Sequence, residues 1–120
     1  MRVYLACTVR GDRSGVLAGR AICERLQHHG HEVLTTHLLT GCDVLVAEAS
    51  GSSYGVGFEV GYVLGRAHHT GQRVLLLYNA ERRQAISRLI TGNCDPACTT
   101  VGYTSIDDLC RVVDRHLPAH

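Results

Sequence analysis

The sequence predicts an α/β fold in which a parallel sheet of about five strands is flanked by helices, within one domain over residues 1–120. Two observations lead to this prediction. Short apolar runs of strand length alternate along the chain with longer segments whose apolar residues recur at helical spacing. Strands that alternate with helices form parallel sheets. The run Val44, Leu45 and Val46 is continuously apolar, which is typical of a strand covered on both faces.

The first part of the chain predicts a strand, a loop, a helix and a second strand. Residues 3–7 form an apolar strand, and the polar segment 8–15 follows as a glycine-bearing loop. A helix is expected over residues 16–29, and Gly30 ends it in the manner of a carboxyl-terminal glycine. Residues 32–36 predict a short second strand. The apolar positions at helical spacing are Leu17, Ala21, Ile22 and Leu26.

The second part of the chain repeats this alternation. The predicted strands are residues 43–47, 73–78 and 99–103, and the predicted helices are residues 57–69, 82–90 and a last helix capped by Ser105. Together these elements predict a sheet of the Rossmann or flavodoxin type, with a shortened second crossover.

The connection between the second and third strands is short. Parallel strands need a crossover of about a dozen residues or more, whereas only six residues separate Thr36 from Asp43. Three interpretations stay open. The second strand is not parallel to the third, or it is barely a strand, or the crossover helix is missing from this chain.

Composition excludes several classes of protein. A net charge of +1 gives no field that would attract nucleic acid or an anionic membrane. No segment has the apolar length of a membrane span. The strand at the very start leaves no signal-peptide pattern, so a cytoplasmic location is expected. Cys94 and Cys98 form a single C-x-x-x-C pair without a second pair of metal-like spacing, so neither a metal nor a cofactor is expected.

Two loops are expected to face one cleft. Ligands of parallel α/β sheets bind at the carboxyl ends of strands, near the switch in strand order. The segments 8–14 and 49–55 follow predicted strands at that edge. Free N–H groups at the start of the helix after the second loop can bind an anion.

Glu59 is the strongest candidate for chemistry. It falls near the start of the helix that follows the second loop, and Gly55 and Gly57 allow a ligand to approach the backbone there. The alternative is structural, because Glu59 could be an N3 residue that reaches back to a helix cap.

Other polar residues are weaker candidates. Asp43 could orient a substrate or be a turn residue, and Glu48 is a second acid near the cleft. Tyr4 could be a core tyrosine with a bonded hydroxyl. Arg10 and Arg13 suit a phosphate, although surface arginines are common. A carboxylate in a cleft with an anion-binding loop indicates glycosyl transfer, because an oxocarbenium-like transition state needs a nearby negative group.

These motifs resemble a known family. Residues 4–13, YLACTVRGDR, resemble the first strand and phosphate loop of the 2′-deoxynucleoside 5′-phosphate N-hydrolases, which belong to the nucleoside 2-deoxyribosyltransferase superfamily. Residues 43–48, DVLVAE, and residues 53–61, SYGVGFEVG, are similar to the signature of that family. The segment 73–92 is similar to its fourth strand and following helix.

The resemblance implies a role for the candidate catalytic residues. Glu59 would be the nucleophile at the anomeric carbon, and Tyr4 would hold it. Asp43 would assist the leaving base or orient the sugar. Ile22 would line the base pocket.

The resemblance also implies how the phosphate is held. Ser53 and Gly55 would help to bind the substrate, and Ser87 would reach the phosphate of the neighbouring subunit, which implies a homodimer with shared sites. The loop that would cradle the 5′-phosphate consists of Thr8, Val9, Arg10, Gly11, Asp12 and Arg13.

One position favours hydrolysis of nucleotides. The transferases of the superfamily, which use unphosphorylated nucleosides, typically carry an aspartate six residues before the nucleophile, whereas this chain has Ser53. A hydroxyl tolerates a phosphate dianion that a carboxylate would repel. A base-exchanging transferase and a non-catalytic nucleotide-binding module stay as alternatives. The family usually has a longer segment with a helix before Asp43, and its shortening here bears on activity.

Overall fold

The computed structural model describes residues 1–7, 13–34, 39–51 and 53–119, and of Arg13 and Ser14 it describes the backbone alone. The strands β1 to β5 are, in order, Arg2–Cys7, Glu32–Leu34, Val44–Glu48, Arg73–Asn79 and Cys98–Tyr103. The helices α1 to α4 are Arg13–His28, Tyr54–Thr70, Arg88–Thr91 and Ile106–His116. Two 3₁₀ segments, Leu39–Gly41 and Ala80–Ala85, complete the described elements.

The five strands form one parallel sheet in the order β2-β1-β3-β4-β5. This confirms the predicted fold class. The strand order reverses between β1 and β3, and a cleft for a ligand is expected above their carboxyl ends. Central β3 is buried at all of its positions, as its continuously apolar sequence predicts.

Two apolar layers hold the sheet between helices. On one face, Ile22 and Leu26 of α1 and Leu109 and Val113 of α4 pack against strand residues such as Val46. On the other face, the buried side of α2 packs against Leu45, Ala47, Leu76 and Tyr78. The residues on that side of α2 are Val56, Val60, Val63 and Ala67.

The structure answers part of the question about β2 and its short connection to β3. Strand β2 is parallel to β1, so the interpretation with a non-parallel strand is wrong. It has three residues and ends at Leu34, which pairs with Tyr4 in the middle of β1. The described part of the link to β3 contains the 3₁₀ turn Leu39–Gly41 and no α-helix. Gln72 fastens this turn, because its amide donates to the carbonyl oxygens of Leu39 and Cys42 at 2.9 Å.

Helix α2 begins earlier than the sequence pattern predicts. Its N-cap is Ser53, whose hydroxyl accepts from the N–H of Val56 at 3.3 Å, and its first residue is Tyr54 instead of the expected residue 57. The helix ends at Gly71, whose φ of 74° is in the left-handed region that glycine adopts at little cost. The predicted helix over residues 82–90 is instead divided between the second 3₁₀ segment and α3, because Ile86 and Ser87 have extended backbone.

None of the described helices is long and apolar enough to span a bilayer.

Candidate active site

Glu59 lies in the second turn of α2 on the flank that faces β1. Helix α2 starts at Tyr54, so its N3 residue is Val56, and Val56 already donates to the Ser53 cap. Glu59 is three residues further along and takes no part in capping. The alternative, in which Glu59 is an N3 capping residue, is therefore wrong. The side chain of Glu59 is half-buried and is available for chemistry.

Tyr4 is the partner of Glu59. The two side chains lie close enough for the phenol to donate a hydrogen bond to the carboxylate. Burial, this hydrogen bond and the negative charge of Glu59 raise the pKa of Tyr4 to about 12. The Tyr4 hydroxyl therefore keeps its proton at neutral pH and acts as a donor. The structure brings these two predicted residues together, and the role of Tyr4 in holding Glu59 stays a prediction.

A thiol ends the strand that carries Tyr4, on the side of the sheet covered by α1. Cys7 is the last residue of β1, and burial together with the charges of Glu48, Cys23 and Glu59 raises its pKa. Helix α1 packs closely over it, because a Cβ at Gly19 would come within 2.9 Å of its Sγ. The sequence predicts a small buried thiol at this position, and the structure describes it as half-buried.

Glu48 is fully committed to other contacts. Its side chain is 2% exposed, and its carboxylate accepts from the N–H of Ser50 at 2.6 Å and from the Ser50 hydroxyl at 2.9 Å. The Tyr103 hydroxyl donates to it as well. Ser50 in turn accepts from the N–H of Asn79 at 2.7 Å. Glu48 thus ties together the carboxyl ends of β3, β4 and β5 below the loop that leads to Ser53.

A groove of about 700 Å³ lies on the opposite flank of α2. Gly57 and Gly61, which line it, are each two residues from Glu59 and so about 160° away around the helix axis. Ser53 and Ser87 also line the groove, so the structure brings these two predicted residues together. Each hydroxyl accepts a hydrogen bond from a backbone N–H at the start of its helix, α2 for Ser53 and α3 for Ser87. Gly55 lies beside Ser53, whose Oγ would be 3.7 Å from an added Cβ, which is an ordinary contact.

Asp43 lies at the other edge of the sheet. Its carboxylate accepts from the N–H of Arg2 at 2.8 Å, and its own N–H donates to the Arg2 carbonyl at 2.8 Å. It precedes β3, whereas Tyr4 pairs with Leu45, so Asp43 lies two residues, about 7 Å along the strand direction at ~3.3 Å per residue, from the position of Tyr4. The role of Asp43 beside Glu59 stays a prediction.

Ile22 also departs from its expected place. It is 0% exposed and packs in the core between α1 and the sheet. A base pocket cannot form around it without opening that core, so the expectation that it lines the pocket is corrected. Its helical spacing with Leu26 already indicated a core position.

The remaining predicted residues fall largely outside the described part of the chain. Thr8, Val9, Arg10, Gly11 and Asp12 are not among the described residues, and of Arg13 only the backbone is described, as the first residue of α1. Their loop follows Cys7, the last residue of β1.

Among the described residues, no group of three or more His, Cys, Asp or Glu side chains could hold a metal ion. Cys94 is exposed and Cys98 is half-buried, and both are free thiols.

Comparison with known proteins gives the chain its family. It is 34% identical over 141 residues to a Thermofilum pendens protein named 2′-deoxynucleoside 5′-phosphate N-hydrolase 1, with 98% of this chain and 96% of the relative covered. The chain belongs to this N-hydrolase family. A Danio rerio protein named 5-hydroxymethyl-dUMP N-hydrolase is 31% identical over 117 residues, which cover 77% of this chain and 78% of the relative. No protein-family model matches the chain.

A solved structure supports the fold alone. A de novo designed Rossmann 2x3 fold protein superposes with a TM-score of 0.56 at 14% identity, covering 96% of this chain and 86% of the other.

This chain has fewer residues than its alignment with the Thermofilum protein has positions. That alignment has 141 positions and this chain has 120 residues, so the relative has a residue at no fewer than 21 positions where this chain has none.

Proposed function

We propose that this chain hydrolyses the N-glycosidic bond of nucleoside 5′-monophosphates, with 2′-deoxynucleotides favoured by the names of its relatives, and releases free base and sugar 5-phosphate. The observation that carries the proposal is the Glu59–Tyr4 pair between α2 and the parallel sheet in a member of the N-hydrolase family. Both members of the pair were identified from the sequence, and their side chains meet in space.

Glu59 supplies the nucleophile. A carboxylate oxygen attacks the anomeric carbon as the base departs, which gives a glycosyl ester on Glu59, and water then hydrolyses the ester. The negative charge also stabilises the oxocarbenium-like transition state. Tyr4 is a positioning residue, because its hydroxyl keeps its proton and holds the carboxylate by a donated hydrogen bond.

The 5′-phosphate is assigned to the loop of residues 8–13 and to Ser53. The loop follows Cys7 at the carboxyl end of β1, and Ser53 caps the helix that carries Glu59. A hydroxyl at Ser53 leaves no negative charge to repel a phosphate dianion. Ser53 precedes Glu59 by about 9 Å along α2 at ~1.5 Å per residue, and it lines the groove on the other flank of this helix.

The same surface supports a homodimer. Tyr54 is 97% exposed and Phe58 is 73% exposed, and these rings form a ridge on α2 beside the apolar groove. A twofold axis can place the ridge of one protomer in the groove of its partner, because a self-complementary contact uses each patch twice. Ser87 lines this groove, so pairing would present it to the neighbouring subunit. A cytosolic location stays a prediction from the sequence.

Hydrolysis and base exchange are separated by one assay. We expect 2′-deoxynucleoside 5′-monophosphates to lose their base without incorporating a different free base added in excess, and the matching nucleosides without phosphate to react poorly. Chromatography of bases, nucleosides and nucleotides checks both points. Faster formation of a new nucleoside than of free sugar would favour the transferase. Ligand-dependent thermal stabilisation without turnover would favour the binding module.

The dimer is tested at Phe58. We expect the wild-type chain to sediment as a dimer and Phe58→Asp to sediment as a monomer, because an aspartate would be buried against the partner's apolar groove. Leu17→Asp is the matched control, since Leu17 is 50% exposed on α1, away from the groove. A dimer that persists in Phe58→Asp, or a wild-type monomer at all concentrations, contradicts this interface.

A further inference from the structure

Gln72 places a buried amide at the junction between α2 and β4. Gly71 ends the helix, and Gln72 follows it with only 6% of its surface exposed. The backbone N–H of Gln72 donates to the Thr70 hydroxyl at 3.1 Å, and the next residue, Arg73, begins β4. The amide is therefore held between the end of the helix that carries Glu59 and the start of a central strand.

The side-chain amide of Gln72 holds the turn that precedes β3. An amide nitrogen carries two protons, and this one donates to the carbonyl oxygens of Leu39 and Cys42 at 2.9 Å each. The same nitrogen lies 3.5 Å from the Cys42 Sγ, and that thiol donates to the Leu39 carbonyl at 3.2 Å. A carboxylate only accepts hydrogen bonds, so a glutamate at this position would not satisfy the two carbonyls.

The turn held by Gln72 lies beside Tyr4. Leu39 and Tyr4 both pack against the apolar layer between α2 and the sheet. The buried Cys42 thiol lies close enough to the Tyr4 backbone N–H to accept a hydrogen bond from it. Because the Tyr4 hydroxyl lies beside the carboxylate of Glu59, a chain of contacts runs from Gln72 through Cys42 and Tyr4 to Glu59.

We propose that Gln72 is a positioning residue for the Glu59–Tyr4 pair. It joins the end of the helix that carries Glu59 to the turn that supports Tyr4, so it sets how the carboxylate and the phenol lie relative to each other. The last residue of α2, Thr70, is about 17 Å from Glu59 along the helix at ~1.5 Å per residue. Gln72 therefore acts through Tyr4. The inference rests on the proposed function and adds a residue to it.

The first test is Gln72→Met, which keeps the length of the side chain and removes both amide protons. We expect kcat for base release to fall about tenfold, because a misplacement of about 1 Å can cost ~10²-fold. KM should change by less than about twofold, since Ser53 and the loop assigned to the phosphate follow the carboxyl ends of strands, whereas Gln72 precedes the amino end of β4.

The matched control for this substitution is Gln27→Met. Gln27 is exposed on α1, which packs on the other face of the sheet, and the variant should keep the wild-type kcat. Circular dichroism at the assay temperature verifies that each variant is folded.

A double-mutant cycle with Tyr4→Phe separates positioning from a general effect on the fold. If Gln72 acts through the Tyr4 hydroxyl, Gln72→Met lowers kcat about tenfold when Tyr4 is present and by less than about twofold in the Tyr4→Phe background. A loss of stability alone would lower activity by the same factor in both backgrounds.

A second variant, Cys42→Ala, decides the question if Gln72→Met does not fold. It leaves the Gln72 amide and both carbonyl acceptors in place and removes only the thiol that lies between the amide and Tyr4. We expect kcat to fall about threefold, and only where the Tyr4 hydroxyl is present.

The outcomes separate this inference from the proposed function. An unchanged kcat in folded Gln72→Met, or losses of equal size in the two backgrounds for whichever variant folds, overturns the positioning role of Gln72. Base release by the wild-type chain then still upholds the proposed function. No base release from any nucleotide by the folded wild-type chain overturns both.

Discussion

Replacing Glu59 by glutamine removes base release. An amide is a poor nucleophile and carries no charge to stabilise an oxocarbenium-like transition state, so we expect kcat to fall by roughly 10³-fold or more. The size of the side chain is preserved, and Glu59 is half-buried on the helix surface, so the fold should persist. Chromatographic quantification of free base measures the loss, and circular dichroism verifies folding.

The control for this substitution is Glu24→Gln. Glu24 is exposed on α1, on the other face of the sheet, and should keep wild-type kcat. If Glu59→Gln retains more than about a tenth of the wild-type kcat, an effect of under ~1.4 kcal/mol, then Glu59 is not the nucleophile.

Replacing Glu48 by alanine has the largest expected effect on stability. The carboxylate is buried and accepts from both donors of Ser50 and from Tyr103. Its removal deprives the Ser50 N–H of its acceptor and opens a cavity, and we expect the free energy of unfolding to fall by about 2–5 kcal/mol. Urea denaturation measures the change.

The control for the buried carboxylate is Glu81→Ala. Glu81 is exposed and should change the unfolding free energy by less than about 0.5 kcal/mol. A loss below about 1 kcal/mol in Glu48→Ala would show that the network at the ends of β3, β4 and β5 does not anchor the loop to Ser53. Because this loop leads into the helix of Glu59, the variant should also lose activity.

Local sequence signals predicted the sheet well. The apolar runs identify β1, β3 and β4, because strands inside a parallel sheet are covered on both faces, whereas β2 and β5 lie at the edges of the sheet and carry fewer apolar residues. The start of α2 was missed by three residues. The glycines at positions 55 and 57 have low helix propensity, yet the Ser53 cap and the burial of Val56 against the sheet begin the helix before them.

The candidate site could be predicted only in part. Tyr4 and Glu59 were identified from a motif, and their pairing depends on the register between β1 and α2, which the fold supplies. Ile22 was misplaced because a motif gives the order of residues along the chain but not the face on which a side chain lies. The register of β3 puts Asp43 at the amino edge, and helical spacing puts Ile22 in the core.

Release of free base from a 2′-deoxynucleoside 5′-monophosphate by the purified chain is the measurement that tests the central claim most directly. A panel of such nucleotides, followed by chromatography, should show free base and sugar 5-phosphate in equal amounts from at least one of them, and none from the same panel incubated with Glu59→Gln. Equal base release by the wild-type chain and the Glu59→Gln variant, or no release by a folded wild-type chain from any nucleotide, would contradict it.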